Sequence, residues 1–203
     1  MEKEHNMSAG VLTDQAFDQL FRKAHTANGW NDTQISDKTL EKIYNVMKFG
    51  PTSANSSPLR IVFIRTKEGK ERLKPTLDQG NVDKTMAAPV TVVFAHDMKF
   101  YEHLPALFPQ TDAKSWFSGN EKLIAQTAFR NGTLQAAYFM IAARGFGLDC
   151  GPMSGFNNEK LDQAFFPDGR FKSNFLCNLG HADPVKTYPR NPRLTFEEAC
   201  TLL

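Results

Sequence analysis

The sequence is poor in cysteine, and no apolar run in it reaches membrane-spanning length. Cys150, Cys177 and Cys200 are scattered through 203 residues, and no pair has the CxxC spacing of a redox or zinc motif. A disulfide-dense secreted scaffold is therefore excluded. No stretch approaches the ~20 apolar residues of a spanning helix, and the opening MEKEHNMSAG has no apolar signal-peptide core. The expectation is a cytoplasmic protein without a membrane partner. An excess of one charge is missing too, since 24 Lys plus Arg face 22 Asp plus Glu. Acidic residues interrupt each basic cluster ahead of the C-terminal tail, so no electrostatic footprint for nucleic acid is left.

Several catalytic signatures are also absent: GxGxxG, the Walker A loop, HExxH and GxSxG. His96, Asp97 and His103 gather near the end of an apolar run, but no further ligand stands at helical spacing from them. A solvated loop is the expectation there, and no metal is expected. His181 and Asp183 read as loop hydrogen-bonding residues.

What is present is core-forming material. The chain is 41% hydrophobic and has 17 Phe, with no linker tract and no repeat. One domain over residues 1–203 is expected, with residues 1–12 a flexible extension. Thr13 is placed to cap a helix whose stripe is Ala16, Phe17, Leu20, Phe21 and Ala24. Asn28-Gly29 signals a turn after it. Ser36 is placed to cap a second helix carrying Leu40, Ile43, Tyr44 and Met47, which Gly50-Pro51 ends. Residues 61–64, 90–95 and 175–179 read as buried strands, and a short charged helix runs through Glu71 and Leu73. A long helix over residues 121–144 is apolar on nearly all sides in its later half, which predicts burial throughout, with a second subunit a source of part of the cover. A short helix begins at Asn157 or Asn158 and runs through Leu161 and Phe165, and Thr195 with Glu198 forms a capping box. Strands separated by helices predict an α/β or α+β architecture.

Three polar clusters stand out. His25, Thr26 and Asn28, with Thr52, Ser53, Asn55, Ser56 and Ser57, follow apolar helical stripes and read either as turns and caps or as ligand contacts. Asn81 and Lys84 stand one helical turn apart, so an amide and an ammonium can address one acceptor-rich ligand. Gly151-Pro-Met-Ser-Gly155 reads as a glycine-bracketed turn exposing backbone donors. Arg190 and Arg193 offer planar, charge-assisted donors suited to phosphate, or form a hydrated basic tail.

Together these segments resemble the FMN-dependent nitroreductase superfamily from about Phe17 onward. The similarity is carried by HTANGW, MKFGPTSANSSPLRIVF, GNVDKTMAAPV, FYEHLPALFP, DAKSWF and LGHADPVKTYPRNPRL. LPALFP and DAKSWF point further, to the malonic semialdehyde reductase branch, also called 3-hydroxypropionate dehydrogenase, of pyrimidine catabolism. The resemblance implies an α+β, three-layer fold with a mixed, mainly antiparallel central sheet flanked by helices. It also implies an intertwined homodimer with residues 133–143, among them Leu134, Ala137, Tyr138 and Ile141, at its core. FMN is the implied cofactor, with NADH or NADPH as hydride donor, and the implied substrate is a small aldehyde, quinone or nitroaromatic.

Residue by residue, His25, Thr26 and Asn28 match the phosphate loop, with His25 where an arginine is usual and Arg22 or Lys23 near enough to substitute. Ser53 and Asn55 match flavin contacts. Asn81 and Lys84 match the pair at the isoalloxazine edge, where Lys84 supports reduced flavin. Pro152, Met153, Ser154 and Gly155 match the loop along the ring. Arg193, with Arg190 nearby, matches the C-terminal phosphate arginine, and Asn191 stands where some relatives carry lysine. Hydride transfer is implied at flavin N5, so no side chain is assigned as the catalyst. A flavin-binding regulatory protein without turnover is the alternative outside enzymes.

Overall fold

A computed structural model describes residues 10–203. Residues 1–9 of the expected N-terminal extension lie outside the described residues, and residues 10–12 are exposed. Four strands, β1 (Leu59–Ile64), β2 (Val90–Asp97), β3 (Asp149–Met153) and β4 (Phe171–Gly180), form an antiparallel sheet in the order β1-β2-β4-β3. The sheet's one parallel contact among the described residues is an isolated bridge between Thr26 and Cys150.

β2 is buried at every position. Side chains alternate across a strand, so Val90, Val92 and Phe94 enter one core while Val93 and Ala95 enter another. The first core is closed by Leu40, Ile43 and Met47 of the Asp37–Met47 helix and by Ala136, Phe139 and Ala143 of the Glu121–Gly145 helix. The second is closed by Leu73 of the Lys67–Leu73 helix and Leu161 of the Asn158–Phe165 helix. The result is the expected three-layer α+β arrangement. Thr13, Ser36 and Asn157 accept backbone N–H bonds at helix starts, and Thr195 and Glu198 form the capping box. The first helix stops at Arg22 rather than Ala24. Its last turn widens to a π-helix, Asp18–Arg22, in which Asp18 pairs with both Arg22 and Lys23. Turns of this kind are frequent at functional sites.

In the single chain the later half of the Glu121–Gly145 helix leaves Leu134 39% exposed and Ala137, Tyr138, Met140 and Ile141 half-buried, the flank for which cover by a second subunit is expected. Two expectations are corrected. Gly151, Pro152 and Met153 are not a turn but the end of β3. Proline is tolerated there because β3 is an edge strand. Gly151 is required because a Cβ would lie 2.6 Å from Ala27 O, where residues 26–30 cross the edge. His96 and Asp97 are not a solvated loop, since both are buried at the end of β2.

Asp97 accepts hydrogen bonds from Arg60 Nη2 (2.8 Å), Arg170 Nε and Nη2 (both 2.9 Å) and Lys99 N (2.8 Å). Burial works against its charge, but the Arg170 hydrogen bonds, the Lys99 N–H and the Arg60 charge outweigh it and hold the carboxyl below its ordinary value. Removing one partner from a buried pair costs about 3–5 kcal/mol. Asp97→Ala is expected to lose stability of that order at pH 7. A folded-state pKa below the unfolded value means the contribution is present above about pH 4 and is lost as pH falls through the folded pKa. Urea unfolding across pH 3–7 tests this, and equal stability of the two proteins at pH 7 would refute it.

Lys70 is buried without a carboxylate. Its ammonium donates to Thr85 O (2.7 Å) and Thr91 Oγ1 (2.5 Å). Thr91 Oγ1 donates to Asn178 Oδ1 (2.7 Å), and Asn178 Nδ2 donates to Thr85 Oγ1 (3.2 Å). This network ties the Gln79–Ala87 helix to β2 and β4. Burial pushes the Lys70 pKa down from 10.5 to about 8. Between those values the unfolded chain binds more protons than the folded one, so stability rises with pH, by up to about 3 kcal/mol. Chemical denaturation between pH 7 and 10.5 should show that rise in the native protein and not in Lys70→Met. Parallel pH profiles would remove the buried charge from the account.

Candidate functional site

Residues 25–30 lie along the free edge of β3. Ala27 N donates to Cys150 O (3.0 Å), and Trp30 Nε1 donates to Lys84 O (3.0 Å). The same segment thus links the end of the first helix to the Gln79–Ala87 helix. Between the first helix, this segment and the C-terminal tail lies a cavity of about 730 Å³. Its wall includes His25, Thr26, Asn28 and four arginines, Arg22, Arg144, Arg190 and Arg193, and no carboxylate.

Arg144, Arg190 and Arg193 are held by backbone carbonyls, which orient them without neutralising them. Arg190 Nη2 donates to Arg22 O (2.8 Å) and Ala24 O (2.6 Å), pinning the tail across the carbonyl end of the first helix. Cations are favoured at that end of a helix. Arg144 Nη1 donates to Leu20 O (3.1 Å), and Arg193 Nη1 donates to Asn191 O (2.9 Å). Of the four, only Arg22 is ion-paired among the described residues, with Asp14 and Asp18. His25 Nδ1 lies 3.2 Å from Tyr188 O, so His25 and Arg22 share one wall. A polar, guanidinium-rich cavity of this composition fits a phosphate monoester.

The second expected cluster is also assembled. Asn81 Nδ2 donates to Gly155 O (2.7 Å), which Asp78 N also approaches at 3.1 Å. A Cβ at residue 155 would meet Asn81 Nδ2 at 2.4 Å. Glycine there allows the helix and the 152–155 segment to touch. Met153 is buried beneath, Pro152 is half-buried and Ser154 is exposed. Lys84, one turn beyond Asn81 and half-buried, has no hydrogen bond or ion pair from its ammonium among the described residues. Lys84 and the arginine cavity are thus joined through Trp30.

Ser53 and Asn55 do not join them. Ser53 N donates to Asn131 Oδ1 (2.9 Å), and Asn55 Nδ2 donates to Leu107 O (2.8 Å). Asn131 and Arg144 lie on the same helix, about 20 Å apart at 1.5 Å per residue. Residues 52–57 also carry backbone strain. Ala54, Asn55 and Ser57 have φ of 50°, 48° and 41°, in the left-handed region that costs a non-glycine residue about 1–3 kcal/mol. Thr52 Oγ1 accepts from Ser57 N (3.2 Å) and Gln135 Oε1 accepts from Leu59 N (2.9 Å), which hold the loop in place. Ser56 Oγ is buried without a partner among the described residues.

Beside this loop is a second cavity, of about 600 Å³, bounded by Tyr44, Lys48, Phe49, Arg60, His103 and Leu107. None of these was singled out as a site residue from sequence. Arg60 carried the one available signal, a charge inside the apolar run LRIVFI. Arg144, in the last turn of an apolar helix, carried a similar one for the first cavity.

A family profile described as "Nitroreductase family" matches residues 22–181. A protein of Cupriavidus pinatubonensis, provisionally named NADH dehydrogenase/NAD(P)H nitroreductase, is 56% identical over 195 residues, covering 95% of this chain and 100% of its own. A similarly named protein of Burkholderia lata is 56% identical over 188 residues, covering 93% and 96%. Among solved structures, a Bacillus subtilis nitroreductase-type protein superposes with a TM-score of 0.84 at 19% identity, over 93% of this chain and 99% of that one. One from Exiguobacterium sibiricum, solved in complex with FMN, superposes with a TM-score of 0.82 at 21% identity, over 97% and 100%. The profile match and the identity over almost the whole chain establish that this protein belongs to the nitroreductase family.

Proposed function

We propose that this chain is an FMN-dependent oxidoreductase that uses NADH or NADPH to reduce malonic semialdehyde to 3-hydroxypropionate. The arginine-lined cavity carries the cofactor assignment. Arg190 and Arg193 would hold the phosphate, with His25, Thr26 and Asn28 as further contacts and Arg22, already paired with Asp14 and Asp18, as a supporting donor. The ring would lie toward Met153, Ser154 and Gly155, with Asn81 and Lys84 along its polar edge. Bound FMN supplies a two-electron carrier between the nicotinamide and the carbonyl.

Asn81, fixed by Gly155 O, holds that edge in register. Lys84 brings an ammonium with no competing partner to the place where negative charge accumulates on reduction. Ser53 and Asn55 would reach the ring from a second copy of the chain, since about 20 Å of helix separates them from the arginine cavity in their own. Leu134, Tyr138 and Ile141, at i, i+4 and i+7 on one flank of the long helix and incompletely covered in one chain, support that homodimer. Obligate interfaces of this sort resemble a core cut in two.

The branch assignment rests on LPALFP and DAKSWF, and Ala106 and Leu107 of the first of these line the second cavity. A broad quinone or nitroaromatic reductase is the second reading, favoured by the NAD(P)H nitroreductase names of the Cupriavidus pinatubonensis and Burkholderia lata relatives. A visible spectrum of the purified protein tests the cofactor. Flavin bands that bleach anaerobically with NADH or NADPH, FMN released on heating, and weaker FMN binding by Arg193→Ala are the expected results. A colourless protein that takes up no FMN would refute the reading. Faster turnover of quinones than of malonic semialdehyde would favour the second one.

Lys84→Met keeps much of the stem and removes the charge. If the lost interaction with reduced flavin is worth about 1.4 kcal/mol, the two-electron potential falls by roughly 30 mV. Affinity for oxidised FMN changes less. Spectroelectrochemical titration measures the difference, and equal potentials would assign Lys84 to structure alone.

A further inference from the structure

The second cavity has a one-sided charge lining. Lys48, Arg60 and His103 contribute to its wall, and no Asp or Glu does. Arg60 is the fixed member. A guanidinium has five N–H donors in a rigid plane. Nη1 of Arg60 donates to Ser57 O (3.1 Å) and Leu59 O (2.9 Å), and Nη2 donates to Asp97 Oδ2 (2.8 Å). Those bonds set the plane and leave one Nη2 hydrogen and the Nε hydrogen without a partner among the described residues. Asp97 does not cancel Arg60 on its own account, because it is shared with Arg170 through two further hydrogen bonds. Glu102 lies 3.2 Å from Arg170 Nη1, and His103 Nε2 lies 3.8 Å from Asp97. Lys48 flanks the opening, with its ammonium 2.8 Å from Asn45 Oδ1 and 5.6 Å from the centre of the Phe49 ring. Phe49, Pro51 and Leu107 supply apolar wall, and low-dielectric surroundings strengthen the attraction of a cation for an anion.

We propose that this cavity holds the carboxylate of a short acidic substrate, with Arg60 as its fixed donor and Lys48 and His103 as flanking groups. The proposal rests on the reading of residues 52–57 as a flavin contact. It adds the group that selects an acid over a neutral acceptor. The strained loop that carries Asn55 and Ser57 forms part of the same wall, so a carbonyl two bonds from an anchored carboxylate stays beside that loop. A three-carbon oxo acid meets that requirement within about 600 Å³. In its reduction the carbonyl carbon gains a hydride, supplied through the flavin by the reduced nicotinamide. The C=O pair moves to oxygen, which takes a proton from water, and the carboxylate is unchanged. Anchoring the far end raises the fraction of bound substrate in a reactive pose.

The test compares acid and neutral ligands on the FMN-loaded protein. Calorimetry with 3-hydroxypropionate and its amide measures binding without turnover. Initial rates with malonic semialdehyde and propanal give a ratio of kcat/KM values. The double variant Lys48→Met/His103→Asn leaves the Arg60–Asp97 and Arg170–Asp97 pairs in place, and Arg60→Lys keeps the charge while losing the planar fork. The native protein should bind the acid at least tenfold tighter than the amide. The double variant should lower that preference, and the acid-to-neutral rate ratio, by at least tenfold, and Arg60→Lys should shift both the same way. An unchanged preference or an unchanged ratio in a yellow, active double variant overturns the carboxylate subsite alone. A protein that takes up no FMN overturns the flavin reading and this proposal with it.

Discussion

β2 is buried on both faces for its whole length, and that constraint reaches both candidate sites. An apolar strand in this position is covered by two helical layers, but three of its residues are polar, Thr91, His96 and Asp97. Buried polar groups need partners, and Thr91 and Asp97 have them, whereas His96 Nδ1 has none among the described residues. Thr91 meets Lys70 and Asn178, whose network ends on Thr85, next in sequence to Lys84. Asp97 meets Arg60 and Arg170, and Arg60 is the rigid part of the second cavity. The backbone that carries Lys84 and the guanidinium of Arg60 are therefore positioned from opposite ends of one strand, each by a hydrogen-bonded network. Such networks are costly to break because each member, once orphaned, remains desolvated.

The long helix adds a second constraint. On its inward face, Asn131 and Gln135 spend their amide oxygens on Ser53 N and Leu59 N. These bonds compensate backbone groups that the strained loop would otherwise leave unpaired, and they hold three left-handed residues where a relaxed loop would not. On its outward face the helix offers apolar surface that one chain does not cover. A flavin reached by Ser53 and Asn55 of one chain and by Arg190 of another would couple cofactor binding to association, since neither chain alone presents both sets.

Most of the elements were legible because their signals are local. Apolar spacing with Ser36 or Thr195 at a cap reports on a few consecutive residues, and the helices appear where that chemistry places them. β3 was not legible: Gly151 and Pro152 are turn residues by propensity, and an edge strand tolerates both. The burial of Asp97 was hidden for a different reason. Its partners Arg60 and Arg170 are far away in sequence, and a carboxylate at a strand end looks solvated until both guanidiniums are brought to it. Of the site residues, His25, Thr26, Asn28, Asn81, Lys84, Arg190 and Arg193 came to notice as types suited to an anion or a flavin edge. Arg144 did not, and His103 did so only as a candidate metal ligand, because each reaches its cavity only through a fold that brings it to a wall made by other segments.

The near-neutral sum of charges conceals a separation that composition cannot report. Asp14 and Asp18 pair with Arg22 outside the first cavity, and Asp97 and Glu102 sit behind Arg60 and Arg170 outside the second. Carboxylates outside the two linings thus pair with Arg22 of the first cavity and Arg60 of the second, and backbone carbonyls hold Arg144, Arg190 and Arg193, so neither lining has an acid of its own. Two guanidinium-lined cavities on a chain with a net charge of only +2 follow from that arrangement. The long-range field stays weak, which disfavours indiscriminate binding of polyanions. A small anion that enters either cavity meets local donors at contact distance, where screening by salt is least effective. Selectivity for a phosphate monoester in one place and a short carboxylate in the other would then come from cavity shape and donor geometry, because both sites present the same kind of charge.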